Sequence, residues 1–154
     1  MAENIRRKIL VLVLAAVVLF TAWMLWPRSL AGAFDARGDL SVSVITSGVE
    51  VVDMTSKPWQ DMETYTVGAG SPEAAAVEKS LEGYSYRLCW DSLTGKSLIE
   101  DIGAVSVKLY GPEGDLSVFS GTGKIRLNGR TVRLTGGRSA DLCEKLRAAL
   151  PGEN

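Results

Sequence analysis

From Ile9 to Trp26 the chain reads ILVLVLAAVVLFTAWMLW, 18 residues without a formal charge. As an α-helix that run is about 27 Å long, against a hydrocarbon core of about 30 Å. No polar stripe interrupts it, so it does not read as the amphipathic helix of a soluble core. Arg6, Arg7 and Lys8 stand before it, Arg28 soon after it, and Trp23 and Trp26 at its far end. Cations gather on the cytoplasmic side of a span and indoles at its interfaces. The expectation is a cytoplasmic basic tail over 1–8, a transmembrane anchor over 9–26, a tether over 27–38 and an extracytoplasmic domain over 39–150. The competing expectation is a long signal peptide cut near Ala33, because Ala31-Gly32-Ala33 is a small-x-small site. Apolar regions of signal peptides run to about 7–15 residues, which favours the anchor. Both readings put the residues from about 34 onward outside the cytosol.

Composition then closes off several chemistries. The 154 residues contain no histidine, so Ser-His triads and His-ligated metal sites are excluded. Two cysteines are too few for a zinc knuckle or a disulfide framework. Beyond residue 33 the chain carries 13 Lys and Arg against 17 Asp and Glu, which is not the balance of a nucleic-acid binder. A domain of this size can bury a core without covalent staples.

Patterning gives an α+β reading: one transmembrane helix, then a mostly antiparallel sheet with two helices packed on one face. Strands are expected at Leu40–Val44, Val49–Met54 and Met62–Val67, with a turn at Ser47-Gly48 and a break at Lys57-Pro58-Trp59. Ser71-Pro72-Glu73 opens a helix that puts Ala74, Val77 and Leu81 on one face and stops at Gly83. Tyr84, Tyr86, Leu88 and Trp90 alternate with polar residues as a strand whose aromatic face reads as core. Strands follow at Val105–Leu109, Leu116–Ser120, Lys124–Leu127 and Arg130–Thr135. Asn128-Gly129 is the clearest hairpin signal, because a type I′ turn needs two residues at positive φ. Ser139 is expected to cap a last helix, with Leu142, Leu146 and Leu150 along one face and Pro151 ending it.

Sequence motifs for chemistry are thin. Ser120-Gly-Thr-Gly-Lys124 lacks the spacing and the following helix of a phosphate loop, and reads as a turn. No Ser has Lys three residues later, so a Ser-x-x-Lys nucleophile is absent. Glu50, Asp53, Asp61 and Glu63 cluster in sequence, and Glu100-Asp101 is a possible cation site, though acids in loops are ordinarily solvated. No catalytic residue, cofactor or metal ligand is assigned. Trp59, beside Pro58, is the candidate exposed aromatic.

The last hairpin is the informative oddity. From Leu116 to Ala140 there is no acid, while Lys124, Arg126, Arg130, Arg133 and Arg138 are present. A two-residue loop pairs Leu127 with Arg130, Arg126 with Thr131, Ile125 with Val132 and Lys124 with Arg133. Lys124, Arg126 and Arg133 then form a candidate anion-facing patch, unless acids such as Glu50 or Asp53 lie alongside. In this compartment the fitting anions are lipid headgroups or envelope polymers rather than nucleic acid. The same alternation sets Cys89 and Cys143 on opposite sides of the sheet, which argues against a disulfide. The functional expectation is a membrane-anchored, non-catalytic binding or interaction module of the cell envelope. The alternatives are a small carboxylate-dependent envelope enzyme and a structural subunit of a membrane complex.

Overall fold

A computed structural model describes residues 2–52, 55–96, 98 and 104–151. Its elements run α1 (Ala2–Leu25), β1 (Arg28–Ser29), β2 (Leu40–Val52), β3 (Thr55–Val67), α2 (Pro72–Leu81), β4 (Ser85–Arg87), α3 (Trp90–Thr94), β5 (Val105–Gly111), β6 (Gly114–Phe119), β7 (Lys124–Leu127), β8 (Arg130–Thr135) and α4 (Ser139–Ala148). The strands form one eight-stranded sheet in the order β1-β4-β8-β7-β6-β5-β2-β3. Every neighbouring pair is antiparallel. An N-terminal apolar helix and an α+β domain are therefore present. Asn4–Leu25 is long and apolar enough to be a membrane span or a signal sequence, and none of it is buried in the domain.

The register explains the core. Val132, Ile125, Val118, Val107 and Val44 form one row across five strands. Leu127, Leu116, Leu109, Val42 and Tyr65 form a second row beside it. Both rows sit on the same side of the pleat, because residues two apart in a strand share a face. All but Tyr65, which packs partly buried against the rest, belong to one buried cluster with Ala74, Val77 and Leu81 of α2 and Leu142, Cys143 and Leu146 of α4. Each large aliphatic side chain so buried contributes about 1.5–3 kcal/mol.

Local signals account for several element ends. The Ser71 hydroxyl accepts from the Ala74 N–H at 3.1 Å, with Pro72 behind it, and opens α2. Asn128 at φ 49° and Gly129 at φ 75° make the β7–β8 turn, and the pairing on either side is the expected one. At α4 the cap is Arg138 rather than Ser139. Ser139 instead donates its hydroxyl to the Thr122 carbonyl, while Arg138 pairs with Asp141 at 2.8 Å.

Three expectations are corrected. Ser47-Gly48 is not a turn and Lys57-Pro58 is not a break, because β2 and β3 are continuous strands paired from Leu40↔Val67 to Val52↔Thr55. Gly48 is tolerated since the indole of Trp59 covers it; a β-carbon there would stand 2.7 Å from the ring. Pro58 is tolerated since β3 is an edge strand. The strand expected through Trp90 ends at Arg87, and Trp90 begins α3 with 71% of its surface exposed. The Cys89 N–H donates to the Ser92 hydroxyl at 3.0 Å, and Gly95 at φ 68° closes the short helix. Thus Tyr84 is core, Tyr86 and Leu88 are partly buried against it, and Trp90 is outside it.

The segment 27–38 packs into the domain. Arg28↔Tyr86 and Ser29↔Ser85 are sheet pairs, and the Leu30 N–H donates to the Tyr84 carbonyl at 3.1 Å. Leu30 is 0% exposed, and Phe34 and Ala36 are buried with it. The packed residues therefore begin at Leu30, ahead of residue 39. Leu30→Ala in the full chain should cost about 2–5 kcal/mol in denaturant unfolding, the range for an aliphatic side chain truncated in a core. A loss under about 0.5 kcal/mol, the ordinary surface value, would mean that this segment hangs loose.

Candidate functional site

Outside α1, the long hairpin carries several exposed apolar side chains, Val49, Val51, Trp59 and Met62. β5 pairs with β2 only from Ser41↔Tyr110 to Thr46↔Val105, and the Ser47 N–H adds one bond to the Ala104 carbonyl at 3.3 Å. Among the described residues, β2 beyond Ser47 pairs with β3 alone. Five further residues at about 3.3 Å each extend that two-stranded arm by about 16 Å. Register divides its side chains. One face carries Ile45 and Met62 opposite each other, then Ser47 and Gln60, then Val49 and Pro58. The other carries Thr46 and Asp61, Gly48 and Trp59, then Glu50 and Lys57. Val51 is 71% exposed, Met62 62% and Trp59 47%. Trp59 lies on a strand, stacked over Gly48, rather than in a loop.

The arm was hidden in the sequence by Gly48 and Pro58, which ordinarily punctuate strands. The available signal was the pairing of a glycine with an aromatic across two β-rich runs.

The basic hairpin is organised differently. Lys124, Arg126 and Arg133 do share the face away from Ile125 and Val132, by strand alternation. Lys124 is half-buried and paired with Asp91 of α3, not with Glu50. Glu50 lies on β2, with β5 and β6 between it and β7, and Asp53 lies outside the described residues. On its other side Arg133 stands opposite Arg87, so Arg87, Arg133 and Lys124 form one cationic row. Like charges opposite one another in a sheet are destabilising, and Asp91 relieves the row at one end. The Lys124 ammonium, hydrogen-bonded to it, holds the Asp91 carboxyl below its ordinary value of 3.8, against a smaller opposing effect of desolvation. The stripe is therefore a pair of exposed residues, Arg126 and Arg133, with Lys124 neutralised beside them.

Arg126 belongs to another row, Lys108–Ser117–Arg126–Thr131. It lines a groove of about 350 Å³ with Leu98, Lys108, Tyr110, Ser117 and Phe119. The two cations flank the buried Ser117, and Asp115 also lines the groove. This is a polar cleft with mixed charge.

Two further hollows lie among the described residues. One of about 470 Å³ lies along the segment after β1 and includes Asp35, Arg37, Glu78, Glu113 and Asn128. Its Glu78 accepts from Arg37 at 3.1 Å. The other, of about 460 Å³, lies between α4 and the sheet and includes Val105, Ser120, Cys143, Glu144 and Arg147. Burial pushes the Cys143 thiol up to about 11, so it stays protonated at neutral pH. Its sulfur faces the Val118 carbonyl at 3.5 Å, whereas that of Cys89 faces the Thr131 carbonyl at 3.7 Å. Among the sequence's acidic candidates, Glu63 accepts from the Tyr65 hydroxyl at 2.7 Å, and Glu100 and Asp101 lie outside the described residues. Among the described residues no group of three potential ligands could hold a metal ion.

Two outcomes follow from these environments. In Lys124→Met the Asp91 pKa should rise toward 3.8, read by carboxyl NMR titration. In the parent chain the tie between α3 and β7 contributes fully above pH 3.8 and is lost as pH falls through the lowered value. An unmoved Asp91 titration would remove that pairing. A thiol reagent at neutral pH should label the half-buried Cys89 well before Cys143, and equal rates would contradict the burial of Cys143.

Compared with protein family models, curated proteins and solved structures, this chain matches none.

Proposed function

We propose that this chain is a single-pass membrane protein whose extracytoplasmic α+β domain is a non-catalytic interaction module of the cell envelope. The observation that carries the reading is the β2–β3 arm, which holds Val49 and Val51 on one face and Trp59 on the other in water beyond the described part of β5, with Met62 exposed at its base. Large apolar side chains exposed together on a regular strand pair ordinarily mark a contact surface. The arm also ends the sheet with a 13-residue edge, β3, whose outward backbone groups can take another strand.

The anchor reading is supported from both ends of α1. Arg6, Arg7 and Lys8 precede the apolar run. At the other end the Arg28 guanidinium sits 5.1 Å over the Trp23 ring, an aromatic and cationic pair suited to an interface. Only Trp26 and Pro27 separate α1 from β1, so the domain is held within about 10 Å of the helix end. Packing supports retention of the anchor. Cleavage near Ala33 would delete β1 and remove Leu30 from the core. In this reading α2 and α4 together cover one sheet face, leaving α3 and the exposed arginines on the other. The partner is an envelope protein met through the arm. An anionic polymer or headgroup is the weaker fit, with Lys124 neutralised by Asp91 and the exported part carrying more acids than bases.

The membrane-fraction protein should have a mass that includes residues 9–33, and a soluble product beginning at Phe34 would contradict the anchor. A Val51→Lys, Met62→Lys chain should unfold within about 0.5 kcal/mol of the parent, as surface changes do. It should nevertheless lose the partners that cross-link to the parent arm in membranes. An unchanged cross-linking pattern would remove the arm from the interaction.

A further inference from the structure

We propose that the occupant of the β3 edge is a second copy of this chain, paired antiparallel through a two-fold axis at Gln60. The inference rests on the reading of the arm as an interaction surface and names its partner.

The two edges of the sheet are unequal. β1 offers two residues and β3 offers 13. A contact that uses β3 on both copies closes on itself, because the β1 edge is too short to continue the sheet. Two identical antiparallel strands related by a two-fold axis can meet only in registers that keep each side chain on its own face.

One of these registers matches the residues of β3 on both faces. With Gln60 opposite Gln60 of the partner subunit, Pro58 meets Met62 of the partner subunit. The existing pairs Val49↔Pro58 and Ile45↔Met62 then extend that contact into a continuous apolar row across four strands, and symmetry repeats it. On the opposite face Lys57 meets Glu63 of the partner subunit, while Glu50 already stands beside Lys57 within the chain. Each cation is thus flanked by acids across the interface.

Neighbouring registers match less well. With Trp59 on the axis, Lys57 still meets an acid, Asp61, but Met62 falls opposite Ser56 and Pro58 opposite Gln60. With Asp61 on the axis, two aspartates face each other, a like-charge pair that a sheet disfavours. Centring on Gln60 pairs Pro58 with Met62 and Lys57 with Glu63 at once, and it sets Trp59 opposite Asp61 of the partner subunit. Pro58 lacks an N–H, so it adds no donor to the new ladder, but its ring supplies part of the apolar row.

The test uses the full chain in detergent and in membranes, with Gln60→Cys and, as a control, Ser56→Cys. Side chains directly opposite across antiparallel strands have β-carbons about 4.5–5.5 Å apart, within reach of a short thiol cross-linker. Gln60→Cys should give a covalent dimer at least tenfold more abundant than Ser56→Cys or the parent. Adding Met62→Lys should reduce that dimer about tenfold. A chain that stays monomeric by light scattering, or a dimer that Gln60→Cys does not link, overturns the proposal. If Gln60→Cys gives no self-link but Met62→Lys still releases a different envelope protein, the arm stands as an interaction surface and the second copy does not. If neither variant changes any contact, both readings fall.

Discussion

Two rows of branched side chains decide the rest of the domain. Val132–Ile125–Val118–Val107–Val44 and its neighbour Leu127–Leu116–Leu109–Val42–Tyr65 each cross five strands and lie side by side on one face. Because alternate residues change face, a slip of one residue in any strand would carry its members of both rows into water. At about 1.5–3 kcal/mol for each buried side chain, such a slip costs more than most single hydrogen bonds contribute. The register on this face therefore dictates the other one. It places Lys124, Arg126 and Arg133 away from the core, and it aligns Lys108, Ser117 and Arg126 along one groove.

The same rows explain what could be read without a structure. Strands that alternate cleanly, such as Lys124–Leu127 and Arg130–Thr135, were legible together with their pairing, because Asn128-Gly129 leaves a single sensible loop. Helix α2 was legible because Ser71 and Pro72 supply a local start, and Ala74, Val77 and Leu81 supply a local face. The failures share a physical cause. Gly48 and Pro58 break strands in isolation, yet the Trp59 indole occupies the space over one, and an edge position removes the cost of the other. Trp90 alternates correctly with Leu88, but the hydrogen bond from Cys89 to Ser92 turns the chain into α3 first. Asp91 lies far from β7 in sequence, so only the fold could bring it to Lys124. In each case a contact across the fold overrode a local preference.

The coupling of α1 to the domain has the same character. Residues 27–38 carry glycine, alanine and charge and look like a spacer, yet Leu30 fills a fully buried position and Arg28 and Ser29 extend the sheet. On the proposed anchored reading, a domain joined to its span by two residues has little freedom to reach far from the bilayer. The arm proposed as the contact surface lies at the opposite edge of the sheet from β1. The strand order thus separates the attachment edge from the proposed contact edge.

The claim at the centre of this account is that the β3 edge is occupied by another strand when the protein is in its membrane. Amide hydrogen exchange across residues 57–63, measured on the full chain in bilayers at high and low protein-to-lipid ratio, addresses it directly. The account predicts that the outward amides of this stretch exchange slowly at the high ratio and speed up on dilution, while those of β6 and β7 do not change. Fast exchange at both ratios would contradict it.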